Sequence, residues 1–514
     1  MARGVDVCAH GDGASVAPLD GGSRAQRRRR SRSCVPQRGP TAPPPVPERV
    51  TVPGRYLDVD ELTLRAEALT TAFPGLAVLR RIGSSRSGEP IRLLSVGRGS
   101  RDVLVVAGPH ANEPVGGVTA LRLARYLCGP SKRAGTGRRS GPADTTWHFV
   151  LCADPEGARR NERWIKGPMT LSHYFRNFYR PGLAEQPEWL PTEPGAAPLP
   201  ETAALLGVQD ELRPYLQCSL HGVDVGGTFV QLTRGLPGFS GRLTGSARDL
   251  SLPVERGPYD AFFWPSPGPG VFDMPRPRET DQVATRPAST ATSTWSHPHR
   301  YGTVTAIVES PMWAVDAVAD TSEHPDPYGA LGSVSRTLAE ETRHLSGLLE
   351  RVAPGLPDSA EPLLTPVTEY LAVSADLAGE WSPETALGPS GSLPPMNRAR
   401  VTALRIAARR LMMRSAGLLH QMLDDGGEGA SGHRLARGPA PEVRAELQRF
   451  LTEGCEAFEA DFRTRWIPVS DQVEHQFRVV LAAAELAART TRLPGPADGG
   501  SPDDAVPRPV VVRA

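Results

Sequence analysis

Lysine is almost missing from this 514-residue chain. Of its 58 basic residues only Lys132 and Lys166 are lysine, and the other 56 are arginine. In a chain rich in Ala, Gly and Pro, that imbalance is what GC-rich coding produces, so scattered arginine does not mark a nucleic-acid surface. A formal net charge of +1 points the same way. No stretch approaches the roughly 18 consecutive apolar residues of a membrane helix, which argues against a membrane-spanning protein. The six cysteines (Cys8, Cys34, Cys128, Cys152, Cys218 and Cys455) form no CxxC and no close pairs, which argues against a disulfide framework or a cysteine-rich zinc site. The 52 glycines and 52 prolines follow no sustained Gly-X-Y period, which excludes collagen and implies long loops and tails. The Arg27-Arg28-Arg29-Arg30 run has no apolar segment behind it, so no secretory signal is recognisable and a cytoplasmic location is expected.

What is there falls into four stretches. Residues 1–50 are rich in Gly, Ser and Arg and then Pro, with too little apolar surface to offset ordering entropy, and read as a disordered tail. From 51 to 329 a helical pattern over Asp58 to Phe73 is followed by short apolar runs at Leu76–Ile82, Ile91–Val96, Val103–Ala107, Trp147–Ala153, Leu216–Leu220 and Val304–Val308. Continuous apolar runs suit strands buried on both faces. A helical pattern at Val115–Leu127 follows the third run, so strands and helices alternate as in an α/β sheet covered on both sides. Two Pro/Gly-dense loops, 180–202 and 256–300, are long enough to be functional rims. From 330 to 491 the strands stop. Ser333–Val352, Asn397–Asp424, Pro441–Trp466 and Val469–Arg489 carry helical stripes, such as Val443, Leu447, Phe450, Leu451, Phe458 and Phe462, and predict an appended all-α domain. Residues 492–514 read as a second disordered tail.

One segment combines a buried strand, a sharp turn and a helix: Val103 to Gly117, with His110 and Glu113 in the turn. An imidazole and a carboxylate separated by two intervening residues can share one ion, although HxxE alone recurs by chance. Its weight comes from position, since open α/β sheets place their sites at the carboxyl ends of strands. Leu216–Leu220 runs into His221, and Val304–Val308 runs into Glu309. His110, Glu113 and His221 would make a set of two imidazoles and one carboxylate with one coordination position open, the layout of a catalytic rather than a structural zinc. In isolation, each has a plainer reading: a turn histidine beside a carboxylate at a helix N-terminus, a core histidine, and a surface carboxylate. His297 and His299 are expected to be solvent-exposed, and His420 and His475 to belong to the helical bundle.

Taken together, these segments resemble the zinc metallocarboxypeptidases of the A/B and N/E type over about Tyr56 to Trp313. The resemblance is carried by Ile82-Gly83-Ser84-Ser85-Arg86-Ser87-Gly88-Glu89-Pro90-Ile91, His110-Ala111-Asn112-Glu113-Pro114-Val115-Gly116, Asp154-Pro155-Glu156-Gly157, Phe175-Arg176-Asn177-Phe178, Ser219-Leu220-His221-Gly222 and Ile307-Val308-Glu309, in the family's order. It implies a mixed, mostly eight-stranded sheet flanked by helices, and one zinc ion per chain held by His110, Glu113 and His221. It implies Glu309 as general base and Arg176 as the clamp on a substrate's terminal carboxylate, with Arg163 or Arg160 standing in for a second substrate arginine. The family's Asp that supports a zinc-bound histidine is His173 here, and its Asp two residues before the third ligand is Ser219. The implied activity is removal of C-terminal amino acids from peptides. The alternatives are a zinc amidase or deacylase acting on a small or cell-wall-derived amide with a free carboxylate, and a non-catalytic scaffold. Self-association or a protein partner would use the helical domain.

Overall fold

The apolar runs become strands because side chains alternate between two covered faces. In the computed structural model, which describes residues 54–129, 144–191, 195–275, 292–386, 396–424 and 438–490, the strands join one mixed sheet. They are β1 (Ala77–Ser84), β2 (Pro90–Val96), β3 (Arg101–Ala107), β4 (Thr145–Val150), β5 (Leu216–Gly226), β6 (Phe229–Leu232), β7 (Val271–Asp273), β8 (Val304–Ala314) and β9 (Arg465–Trp466). Their order is β1-β2-β4-β3-β5-β8-β6-β7, and β9 adds antiparallel to β8. The central pairs β4–β3, β3–β5 and β5–β8 are parallel. The expected mixed, helix-flanked sheet is therefore the one observed. The two tails, Cys8, Cys34 and Lys132 lie outside the described residues.

The helices on this sheet are α1 (Val59–Ala72), α2 (Val115–Cys128), the short α3 (Pro155–Arg160), α4 (Glu162–Ile165) and α5 (Leu171–Asn177), then α6 (Pro200–Leu212) and α7 (Phe239–Asp249). Asp58 caps α1 by accepting from Glu61 N while the Glu61 side chain accepts from Asp58 N, which fixes where the chain turns helical. In β3, Val103, Val105 and Ala107 face the core that contains α1 and α2, whereas Leu104 and Val106 face Leu205 and Val208 of α6. Gly116 lets α2 lie close to the sheet: a Cβ there would come within 3.0 Å of Leu220 Cβ.

The remaining helices are α8 (Pro327–Val352), α9 (Glu361–Glu380), α10 (Pro383–Ala386), α11 (Arg398–Asp424), α12 (Ala440–Phe462) and α13 (Val469–Thr490). Four of them fall where helical stripes predict them. The sequence gives no sign of α9, because Pro362 and Pro366 interrupt its pattern. Its first turn tolerates Pro362, and burial of Leu363, Val367, Leu371 and Leu377 stabilises the rest.

The helical stretch does not stand apart from the sheet. Helices α8, α9, α11 and α12 pack on one another, but α13 packs on α2, α7 and β8 and so belongs to the sheet's own helical layer. The Val473, Phe477, Val480 and Ala484 stripe is buried there. The reason is polar as well as apolar. Gln476 Nε2 donates to the His221 carbonyl at 2.7 Å, and the Gln476 oxygen accepts from Thr119 Oγ1 at 2.8 Å. His475 likewise sits between Thr228 Oγ1 (2.6 Å) and Ser246 Oγ (3.0 Å), under the sheet rather than in the bundle where it was expected.

Burial lowers the His475 imidazole to about 3, with Arg478 adding to the effect. Folding therefore keeps it neutral, while the unfolded chain takes up a proton near its ordinary value of about 6.5. Its contribution to stability is full above that pH and declines as pH falls toward 3, by about 1.4 kcal/mol per pH unit. Replacing His475 with glutamine should flatten that acid slope. Urea midpoints at pH 7 and pH 5 check this: an unchanged difference between the two would remove His475 from the acid response.

Candidate metal centre

Strand β3 ends at Ala107, and Gly108 turns the chain in a left-handed conformation, φ 59°, where a Cβ would lie 3.1 Å from Cys152 Sγ. The turn closes with Glu113 N donating to the His110 carbonyl at 3.1 Å, and α2 begins at Val115. His221 and Glu309 are brought to this turn by pairing rather than by strand ends. β5 and β8 continue to Gly226 and Ala314, five residues beyond each site residue, so the expectation that the strands stop at His221 and Glu309 is corrected. The two residues are direct neighbours across the parallel ladder. In β8 only Glu309 is less than fully buried, a gap in an otherwise apolar cover.

The side chains converge. His110 Nδ1 lies 3.1 Å from His221 Nδ1 and 3.0 Å from Glu113 Oε1. His221 Nδ1 lies 3.3 Å from Glu113 Oε2 and 3.8 Å from Glu309 Oε1. Gly222 N donates to Glu113 Oε2 at 3.1 Å and fixes the carboxylate's plane. One ligand atom from each of His110, Glu113 and His221 falls within 4.8 Å of the others. Two imidazole nitrogens and a carboxylate oxygen are ligands that zinc accepts, and side chains this buried have few other partners for their charge.

The electrostatics follow from burial. Burial alone would raise the Glu113 carboxyl, but His110 and Arg180 outweigh it and hold the group well below the usual range. Burial pushes the Glu309 carboxyl up to about 8, with Glu113 adding to that and His221 opposing it. His221 is raised well above the ordinary imidazole range, because Glu188, Glu113 and Glu309 outweigh its burial.

Two further side chains at the cluster come from the 180–202 loop, which the sequence flags only as a rim. Glu188 is fully buried, with its oxygens 2.8 Å from His110 Nε2 and 2.9 Å from His221 Nε2, on the far side of both rings from Glu113. Ser219 Oγ also reaches His221 Nε2, at 2.9 Å. Arg180 places Nη2 3.2 Å from Glu113 Oε1, and its Nε is buried with no hydrogen-bond acceptor. The only signal for either residue is the loop's length, since neither lies in a periodic pattern.

Arg176 and Arg163 are not brought to this cluster, which corrects the roles the motif resemblance implied for them. The Phe175-Arg176-Asn177-Phe178 segment lies largely on α5, so residues two apart point to opposite sides. Tyr174 faces the metal turn, accepting from Asn112 Nδ2 at 3.0 Å, while Arg176 Nη2 donates to Thr452 Oγ1 of α12 at 2.8 Å. Arg176, Arg163, Arg160 and His173 line a cavity of about 800 Å³ against α11 and α12, and none of His110, Glu113, His221 and Glu309 borders it. His297 and His299 are half-buried rather than exposed. His297 Nε2 lies 2.7 Å from Asp210 Oδ1.

The helical region reaches the centre through Asp224, three residues beyond His221 and fully buried. Arg410 and Arg414 of α11 pair with it at 3.0 and 2.8 Å, and the Tyr174 hydroxyl donates to it at 3.4 Å. A continuous polar chain thus runs from α11 through Asp224 and Tyr174 to Asn112, between the two ligands of the turn. Among the described residues, no helix is long and apolar enough to cross a membrane.

Comparison with known proteins bears on the same region. Residues 65–224 match the zinc carboxypeptidase family, less than half of the chain. No curated protein matches the sequence. Among solved structures, a metallo-carboxypeptidase from Burkholderia cenocepacia is 17% identical at a TM-score of 0.31, covering 51% of this chain and 62% of that one. The carboxypeptidase A of Helicoverpa armigera is 13% identical at a TM-score of 0.34, covering 50% and 65%. A candidate metallopeptidase from Shewanella amazonensis is 16% identical at a TM-score of 0.34, covering 49% and 85%. The chain therefore spans less than two thirds of the length of the two carboxypeptidases. The stretch 65–224, which carries His110, Glu113 and His221, matches the zinc carboxypeptidase family, and Glu309 reaches the cluster from beyond it.

Proposed function

We propose that this protein is a zinc-dependent hydrolase that removes C-terminal amino acids from peptides. The observation that carries this is the convergence of His110, Glu113 and His221 with Glu309 paired beside His221. The three would hold one zinc ion, which supplies Lewis acidity toward water and a scissile carbonyl. Glu309 takes the proton of the attacking water and returns it to the leaving amine. Its burial suits this exchange, because a carboxyl held near the working pH can both accept and donate. Glu113 is kept ionised by His110 and Arg180 and stays a ligand.

Arg180 holds the free carboxylate of the substrate, in place of Arg176. Its Nε lacks an acceptor in a buried setting, and a guanidinium matches a carboxylate in geometry and charge. Fixing that end of the substrate selects which bond faces the metal. The burial of Glu113 and His221 limits water around the reacting groups.

Incubation with a peptide mixture followed by mass analysis tests the reading. Loss of single C-terminal residues, abolished by a chelator and restored by zinc, is the expected result. Absence of bound zinc, or cleavage of amidated peptides as readily as of free acids, would replace the carboxypeptidase reading with a scaffold or an amidase. Within the same assay, Arg180→Ala should cut the preference for free acids over amides by about tenfold or more, as loss of a charged contact does. Arg176→Ala should leave that preference unmoved. The reverse pattern would return the clamp to Arg176.

A further inference from the structure

We propose that Glu188 is the positioning residue of the metal centre, a single carboxylate that orients both histidines. This inference rests on the reading of His110, Glu113 and His221 as a metal set. The geometry is specific. Oε2 of Glu188 lies 2.8 Å from His110 Nε2, and Oε1 lies 2.9 Å from His221 Nε2. With both Nε2 atoms turned toward one anion, both Nδ1 atoms turn toward Glu113 and come within 3.1 Å of each other. A carboxylate beside each Nε2 favours the proton on that nitrogen and leaves each Nδ1 lone pair to face a cation, so one side chain biases the tautomer of two ligands.

The carboxylate is itself held. Trp295 Nε1 donates to Glu188 Oε1 at 2.8 Å, and Thr294 N donates to the Glu188 carbonyl at 2.8 Å. The chain on either side of it is pinned too. Thr202 Oγ1 donates to the Pro187 carbonyl at 2.9 Å, and Leu190 N donates to the Thr292 carbonyl at 2.8 Å. These bonds attach the loop to the segment just before β8, which is itself tied to that strand by Thr305 Oγ1 donating to the Trp295 carbonyl at 2.9 Å. Position 173, where the motif resemblance leads one to expect a supporting aspartate, is a histidine whose Nε2 lies 3.3 Å from the Arg163 carbonyl, away from the cluster. The role absent from position 173 is supplied from a different loop, and for two ligands rather than one.

The charge balance agrees. Beside a divalent cation, Glu113 and Glu188 contribute two negative charges within the buried site, and Arg180 offsets part of Glu113 alone. Removing Glu188 would take the carboxylate from beside His110 Nε2 and leave His221 Nε2 with the Ser219 hydroxyl alone, in a buried site.

The test is zinc affinity of the full chain, by competition with a chromogenic chelator. The native protein is expected to bind one zinc. Glu188→Gln, which offers one acceptor oxygen instead of two, should weaken that affinity by about 10–100-fold, and Glu188→Asp by less. His173→Ala should leave it within about twofold of native, on the same scale. In cobalt-loaded protein, the visible absorption bands should shift for Glu188→Gln and not for His173→Ala. Native-like affinity in both Glu188 variants overturns the proposal while the metal reading stands. A native chain that binds no zinc overturns the metal reading and this inference with it. If Glu188→Gln fails to fold, the shorter but charge-bearing Glu188→Asp decides the question.

Discussion

Replacing Glu309 with glutamine should leave zinc bound and lower peptide hydrolysis by about 10²–10⁴-fold, the usual contribution of a positioned general base. Glutamine keeps the shape of the side chain and cannot accept the proton. The effect should fall on kcat, because Glu309 lies 3.8 Å from His221 Nδ1, farther than the atoms that would ligate the ion, and contributes little to holding it. The backbone at this position is fixed independently of the side chain: Thr228 Oγ1 donates to the Glu309 carbonyl at 2.8 Å, and the ladder to β5 continues on both sides. Zinc content and single-turnover rates on one peptide check the prediction. Retained turnover would remove Glu309 as base, and lost zinc would mean that it belongs among the ligands.

Replacing Asp224 with alanine should destabilise the protein by about 3–5 kcal/mol, because two buried guanidiniums lose the carboxylate they pair with. Asp224 is held well ionised: burial opposes its charge, but Arg414 and Arg410 outweigh that cost. The change should also loosen the link between the sheet and α11. Urea unfolding followed both by a probe in the sheet, such as Trp147 fluorescence, and by helical signal should shift together. A shift below about 1 kcal/mol would show that water reaches the pair, as it does for exposed ion pairs. Replacing Asp224, Arg410 and Arg414 together by apolar residues should recover much of the loss, since it removes the unpaired charges rather than exposing them.

Both predictions concern residues on β5 and β8, and these two strands mark the limit of what the sequence alone can say. Their apolar runs identify them as buried strands, but continue past His221 and Glu309 through residues that are polar or break the pattern, such as Ser310 and Pro311. An apolar count ends a strand at the first polar residue. In the sheet, Ser310 and Pro311 remain covered by α13 and the neighbouring strands, so pairing carries on to Ala314. Helix α9 escaped for a related reason: its prolines count against a helix locally, while burial of its leucines decides for one.

The ligand set was legible because its chemistry is written in residue type and local order. His110 and Glu113 share one turn, and only a strand running into a glycine turn and then a helix presents them together. The strand that carries His221 is just as plain. What lies around those ligands was not legible. Glu188 and Arg180 sit in a loop with no periodicity, and the bonds to Trp295, Thr294 and Glu113 that place them join segments far apart in the chain. The motif arginine, Arg176, looked like the clamp because motif order fixes a residue's place in the chain but not which way its side chain faces. Folding that segment as a helix turned Tyr174 toward the metal turn and Arg176 away. The sequence by itself determined the sheet, its flanking helices and the candidate set of His110, Glu113 and His221, since these follow from burial patterns and from side-chain chemistry where each strand leaves its apolar run. Only the tertiary structure decided which carboxylate lies beside both histidines, which arginine lies beside Glu113 and how α11 is tied to Asp224, because long-range packing alone sets those contacts.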